Sequence, residues 1–273
     1  MKLTKILLAP LVLASAVSNA NASLTTVDNG LGVYDSALNV TWTSNGNLLQ
    51  TLESQQGTLN VINAIIAASP SITDTPNAYD NNGSGSYKVT ASNFGANGTA
   101  DWFGAQAFIN YLNFIDYGNS NQWALPSSGT NPQANYNQTT SQLGELYYSE
   151  LGALAYDPNN PLSQTFGILG HGYGSMYQPG NPGPFTNVQA QIYWSGTELA
   201  TNLTYAWYFN TQTGYQFAIN KPLADFYVWA ISPGQIQASA PVPLPASIWL
   251  FGCGIMGLLG LNRKRKVRFR RIV

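Results

Sequence analysis

The sequence predicts a single domain of mixed helices and strands, α+β in class, set between an N-terminal signal peptide and a C-terminal transmembrane segment. Three observations predict it. Apolar residues at helical spacing and runs of β-forming residues occupy separate stretches in the middle of the chain. Both ends are apolar runs flanked by positive charge. Nearly all the cations belong to those ends.

At the N-terminus, Lys2 and Lys5 precede an apolar run from Ile6 to Val17, broken by Pro10 and Ser15. Ala20-Asn21-Ala22 fits the A-x-A cleavage pattern. Residues 1–22 therefore read as a secretory signal peptide cut between Ala22 and Ser23, with Ala20 as an alternative site. Of eleven Lys and Arg, two lie in this segment and seven in the C-terminal tail. That leaves Lys88 and Lys221 against twelve carboxylates, a formal charge of −10 for the exported part, although the whole chain reads −1. The exported part has no arginine. It cannot neutralise a phosphate backbone, which excludes nucleic acid as a partner, and its charge repels sulfated or phosphorylated glycans. The single cysteine, Cys253, lies in the C-terminal apolar run, so no disulfide can form within the domain. An ordinary core must hold it, and six of the seven tryptophans fall between Ser23 and Gly234.

Within the domain, Val33-Tyr34 and Val40-Thr41-Trp42 flank an Asp-Ser turn and read as a hairpin. Leu48 to Ala68 carries Leu49, Leu52, Leu59, Ile62, Ile65 and Ile66, the spacing of a helix interrupted near Gly57 and ended by Pro70. Residues 71–100 read as a surface excursion with one strand, Tyr87 to Thr90. Asp101 caps the next helix, whose apolar face is Trp102, Ala105, Phe108, Ile109 and Leu112. Gly118 to Asn121 is a turn, Gln122 to Pro126 is extended, and Asn131 to Thr140 is a polar loop. Ser141 caps a helix predicted from Leu143 to Leu154, and Tyr156 to Asn187 is loop-rich. Strands at Gln189–Trp194, Tyr205–Asn210 and Phe226–Ile231 close the domain. Residues 235–241 form a linker.

The inventory for chemistry is thin. His171 is the only histidine and sits in a Gly- and Pro-rich loop, which excludes Cys-His triads and His-rich zinc sites. Glu145, Glu150 and Glu198, with Asp101 and Asp225 behind them, are the carboxylates from which a glycosidase pair would be drawn. Glu145 and Glu150 are five apart and share a helix face poorly. Asp80 to Gly85 begins like a calcium loop, but Ala91 stands where the bidentate Glu belongs. No catalytic residue, cofactor or metal is expected. The six tryptophans, beside Asn and Asp, would suit sugar rings wherever their faces are exposed.

After the linker comes Val242-Pro243-Leu244-Pro245, an uncharged apolar run from Ala246 to Leu261, and a basic tail over residues 262–273. The sixteen-residue run spans about 24 Å as a helix, short of roughly 30 Å of hydrocarbon, and the basic tail marks the cytoplasmic side. With Trp249-Leu250-Phe251-Gly252, this ending resembles the PEP-CTERM sorting signal of Gram-negative, exopolysaccharide-producing bacteria, with Leu244 in place of the acidic residue. The resemblance implies signal peptidase and exosortase as processing partners. It also implies a transient inner-membrane stage, then release to the cell surface or biofilm matrix.

The exported segment, residues 23–234, resembles the Lcl C-terminal domain-like family of a collagen-like adhesin. Matching segments include Val40-Thr41-Trp42, Gln122-Trp123-Ala124-Leu125-Pro126, Leu143 to Tyr148, Tyr193 to Glu198, Ala206 to Phe209 and Tyr227 to Gly234. Ala124 and Ser232 depart from it, each standing where arginine is usual. The resemblance implies a C-type-lectin-like fold with two main helices beside twisted antiparallel strands. It implies adhesion or glycan binding and no defined catalytic set. Trp194, Glu198 and Trp207 are the candidate ligand-binding residues, with exopolysaccharide as the expected partner. The rivals are a glycan-active enzyme using a carboxylate pair and a structural matrix protein without a discrete ligand.

Overall fold

A computed structural model describes residues 23–73, 79, 85–157, 159, 167–169 and 181–237. The signal peptide, the 80–84 part of the calcium-like loop, His171 and the whole sorting signal with its processing residues Val242 to Pro245 lie outside the described residues. The domain is mixed α+β. Among the described residues no helix is long and apolar enough to cross a membrane.

Strands β1 (Leu24–Val27), β2 (Gly32–Asp35) and β3 (Val40–Thr43) are followed by helices α1 (Leu48–Gln56) and α2 (Thr58–Ala68). Next come β4 (Ser71–Thr73), β5 (Ser86–Lys88), β6 (Thr99–Ala100) and helix α3 (Trp102–Phe114). A short helix α4 (Gln142–Glu145) runs into one π turn, Leu146–Glu150. The chain then returns as β7 (Ile192–Glu198), β8 (Tyr205–Asn210), β9 (Tyr215–Asn220), β10 (Phe226–Tyr227) and β11 (Ile231–Pro233). One sheet has the order β1-β2-β3-β11, all antiparallel. A second has the order β6-β10-β7-β8-β9, with β10 and β7 parallel and its other pairs antiparallel. Strands β4 and β5 pair separately.

Local chemistry fixes several of these elements. The Asp35 carboxylate accepts the Ala37 and Leu38 N–H groups at 3.0 and 3.1 Å and closes the predicted β2–β3 hairpin as an Asx turn. Its other oxygen accepts the Trp42 indole N–H at 3.3 Å. Asp101 caps α3 by accepting Gly104 N–H at 2.8 Å, and Ser141 caps α4 in the same way at 3.0 Å. Gly57, at φ 89°, makes the predicted interruption a complete break, so α1 and α2 are separate helices. The expectation of two main helices is thus corrected to three, of nine, eleven and thirteen residues.

Other corrections concern strands and one helix. The helix expected to Leu154 stops at Glu150, because it widens into a π turn and Gly152 adopts φ 64°. The expected Gln189–Trp194 strand begins at Ile192 and extends to Glu198. The single strand expected at Phe226–Ile231 is two strands in different sheets. Strands β1, β4, β6 and β9 were not expected at all; β4 and β6 are too short to show a period, and β1 and β9 pair with their chain neighbours β2 and β8.

Two apolar clusters flank the five-stranded sheet. On one side Trp194 and Ala206 pack with the α1–α3 residues Leu49, Ile65, Phe103 and Leu112. On the other, Tyr193 and Phe209 pack with Val33, Trp42, Leu146, Tyr147 and Trp229. Where the family resemblance implies arginine, Ala124 forms a backbone bridge to Ile231, and the Ser232 hydroxyl pairs with that of Ser120 at 2.7 Å.

Candidate functional site

The strand β7 carries a bulge between Trp194 and Glu198, where its register against β8 shifts. Bulges re-aim side chains and end pairing, and this one lies where the β7–β8 connection leaves the sheet. Facing that connection is the 129–133 loop. Thr197 Oγ1 accepts Ser128 N–H at 2.9 Å, and Gly196 N–H donates to Pro126 at 3.0 Å, so the loop is tied to the bulge. Between them is a cleft of about 300 Å³, at the small end for ligand pockets. Thr130, Asn131 and Gln133 line one wall, Thr197, Glu198 and Thr201 the other, and Trp207 of β8 also borders it.

Glu198 is held by the chain's only fully buried cation among the described residues. Its Oε1 accepts from Lys221 Nζ, the Lys221 side chain being wholly buried while that of Glu198 stays 26% exposed. Lys221 Nζ also lies 4.5 Å from the Trp102 ring centroid and 5.6 Å from that of Phe103, so aromatic faces replace part of its lost hydration. A buried lysine costs several kcal/mol unless paired, and Glu198 supplies a counter-charge for it. Glu198 is thereby fixed in one orientation at the cleft wall.

The remaining carboxylates do not join it. Asp101 is 4% exposed; it caps α3 and accepts the Asn93 amide at 2.7 Å. Burial, with the Asp225 charge adding to it, pushes its carboxyl up to about 6, against the lowering effect of its hydrogen bonds. Burial also raises Asp225. Glu145 accepts the Ser149 hydroxyl at 2.9 Å. Glu150 is raised by burial and by the charges of Asp35 and Glu145. Among the described residues, the cleft lining contains a single carboxylate, and no three His, Cys, Asp or Glu side chains gather as a metal site.

The three sequence-predicted binding residues divide. Glu198 and Trp207 both line the cleft. Trp194 does not: it is fully buried, its indole N–H donates to Ala100 at 2.8 Å, and its ring packs 4.7 Å from Phe226. It is a core residue with no face for a sugar ring. The wider expectation of an exposed tryptophan platform is corrected as well, since all six tryptophans of the domain are at most 4% exposed. Sequence reasoning missed the 129–133 loop, which has no periodicity, and Gln216 of β9, described below. The Tyr-Gln-Phe-Ala-Ile alternation after Thr213-Gly214 was the available signal for that strand.

No protein-family model, curated protein or solved structure matches the chain.

Proposed function

We propose that this is an exported, non-catalytic surface or matrix protein that binds polysaccharide at the Glu198–Trp207 cleft. The observation that carries the reading is the chemistry of that cleft: hydroxyl side chains on both walls, amides on one, and one carboxylate immobilised by a buried lysine. Such groups recognise hydroxyls, whereas an acidic domain without arginine disfavours anionic ligands. Glycoside hydrolysis uses two carboxyl groups across the scissile bond. The cleft lining offers one, already engaged with Lys221. The α+β arrangement of helices beside antiparallel strands supports the finer C-type-lectin-like assignment.

The path to the surface follows from the two ends. Signal peptidase cuts between Ala22 and Ser23. The apolar run from Ala246 then holds the chain in the inner membrane, and exosortase acts at Val242 to Pro245.

Screening a glycan array with the native protein and with a Thr130→Trp variant tests the binding reading. Thr130 is exposed at the cleft rim, so the bulky ring fills the site without entering the core. Neutral glycans should bind the native protein and not the variant. Equal binding by both would remove the cleft from the account, and turnover of a glycan by the folded native protein would defeat the non-catalytic part. Replacing Pro243 and Pro245 by alanine should leave uncleaved protein in the inner membrane. Unchanged release would sink the sorting proposal.

A further inference from the structure

We propose that the cleft selects one ligand hydroxyl through two buried groups, the indole N–H of Trp207 in its lining and the side-chain carbonyl of Gln216 behind the 129–133 loop, and that its ligand is therefore a neutral saccharide. This rests on the binding reading above.

All six tryptophans of the domain have buried indoles. Those of Trp42, Trp102, Trp123, Trp194 and Trp229 each donate to an oxygen of the protein at 2.7–3.3 Å. Trp207 does not: its Nε1 is sealed from solvent and has no partner. It is also 4% exposed yet belongs to neither apolar cluster. The one unsatisfied indole is the one that borders the cleft.

Gln216 supplies the complement. It is 1% exposed, its amide Nε2 donates to Gln133 O at 3.2 Å, and its Oε1 has no partner. Trp207 is directly opposite Ala218 on β9, so Gln216, two residues along, is its diagonal neighbour on the same face. Diagonal pairs are about 7–8 Å apart, within reach of an indole and a glutamine side chain. The backbone of Gln216 exchanges hydrogen bonds with Asn135 at 3.0 and 3.1 Å. The segment bearing the cleft loop is therefore anchored on this same residue.

One orphan donor beside one orphan acceptor defines what fits between them. A hydroxyl both accepts and donates; an ammonium has no acceptor and a carboxylate has no donor. Glu198 in the same wall further disfavours an anion. The other two sealed, unpartnered side-chain atoms among the described residues, Asp28 Oδ2 and Glu53 Oε1, are both acceptors and lie outside the cleft lining. Among the described residues, only Trp207 and Gln216 place an unpartnered donor and an unpartnered acceptor at diagonal positions on one sheet face. Because both atoms are closed off from bulk water, the hydroxyl reaches them as the 129–133 segment gives way.

The test uses the detergent-solubilised full chain and calorimetric titration with methyl glycosides of glucose, galactose, mannose and N-acetylglucosamine, together with their monodeoxy analogues. We expect one parent sugar to bind and one deoxy position to cost the native protein about tenfold in Kd, the cost of one unmade hydrogen bond. Trp207→Phe should lose the same factor for the parent sugar and nothing for that deoxy analogue. Gln216→Met should behave likewise. If Trp207→Phe weakens the parent and every analogue equally, or the native protein distinguishes no deoxy analogue, the pair is only a buried-water site and the proposal is overturned while binding at the cleft stands. If no neutral sugar binds the native protein, the binding reading itself falls and takes this one with it.

Discussion

Removing the charge of Glu198 should destabilise the protein far more than removing the charge of Lys221, although the two form one ion pair. Lys221 is wholly buried, so in Glu198→Gln its ammonium keeps its desolvation cost and loses the Glu198 charge. Breaking a buried charge pair by neutralising one partner costs about 3–5 kcal/mol. Glutamine still offers an oxygen to accept from Nζ, and the Trp102 and Phe103 faces remain, so the lower end applies, about 3 kcal/mol. In Lys221→Met the stem volume is kept and the charge that remains is that of Glu198, whose side chain is 26% exposed and can turn to water in the cleft. That change should cost about 1 kcal/mol or less, as for a solvated partner. The double variant should resemble Lys221→Met, because the charge that made Glu198→Gln costly is gone. Urea unfolding followed by tryptophan fluorescence gives all four stabilities. Equal costs for the two single variants, or a Glu198→Gln cost under 1 kcal/mol, would refute the argument that an unsolvated lysine is what the pair protects.

Three further predictions follow from the same structure. Burial holds the Asp101 carboxyl at about 6 in the folded state, above its ordinary value of 3.8, so between those values the folded state holds a proton that the unfolded state has released. Stability from this group is therefore fully present below about pH 4 and is lost as pH rises through 6, by about 3 kcal/mol; in Asp101→Asn, this part of the pH profile should be flat. A profile that rises from pH 4 to 7 in the native protein and is unchanged in the variant would count against that account. Trp194→Phe should cost about 1–3 kcal/mol in urea unfolding, since it deletes the bond to Ala100 and leaves Ala100 O buried, yet leave saccharide affinity unchanged; a large loss of affinity without loss of stability would return Trp194 to the site. Gly214 has φ 79°, and a Cβ there would stand 2.2 Å from the Tyr148 hydroxyl, which itself donates to Gly214 O. Gly214→Ala should therefore lower stability by about 2 kcal/mol or more, checked by thermal unfolding.

The elements legible in the sequence are those whose causes are local. Asp35 closes its own hairpin, Asp101 and Ser141 cap their own helices, and Gly57 breaks the helix that contains it. The partition of charge is equally local: two lysines among twelve carboxylates make the exported part acidic whatever its fold. The pairing of β11 with β3 depends on a partner far away in the chain, where a short stretch carries little information of its own, whereas β9 forms a local hairpin with β8 and its alternation was legible.

Trp194 and Trp207 mark where sequence reading ends. Both sit among aromatic and β-forming residues, and by composition either would serve a sugar. Pairing decides between them: Trp194 is opposite Tyr208, while Trp207 is one residue earlier and points to the other face of the sheet. On one face an indole meets Ala100 and the helical core; on the other it meets a cleft and keeps an unshared proton. The residues and their charges were set by the sequence alone. Which tryptophan became core and which borders the cleft was set by register, because a one-residue step along a strand exchanges its faces.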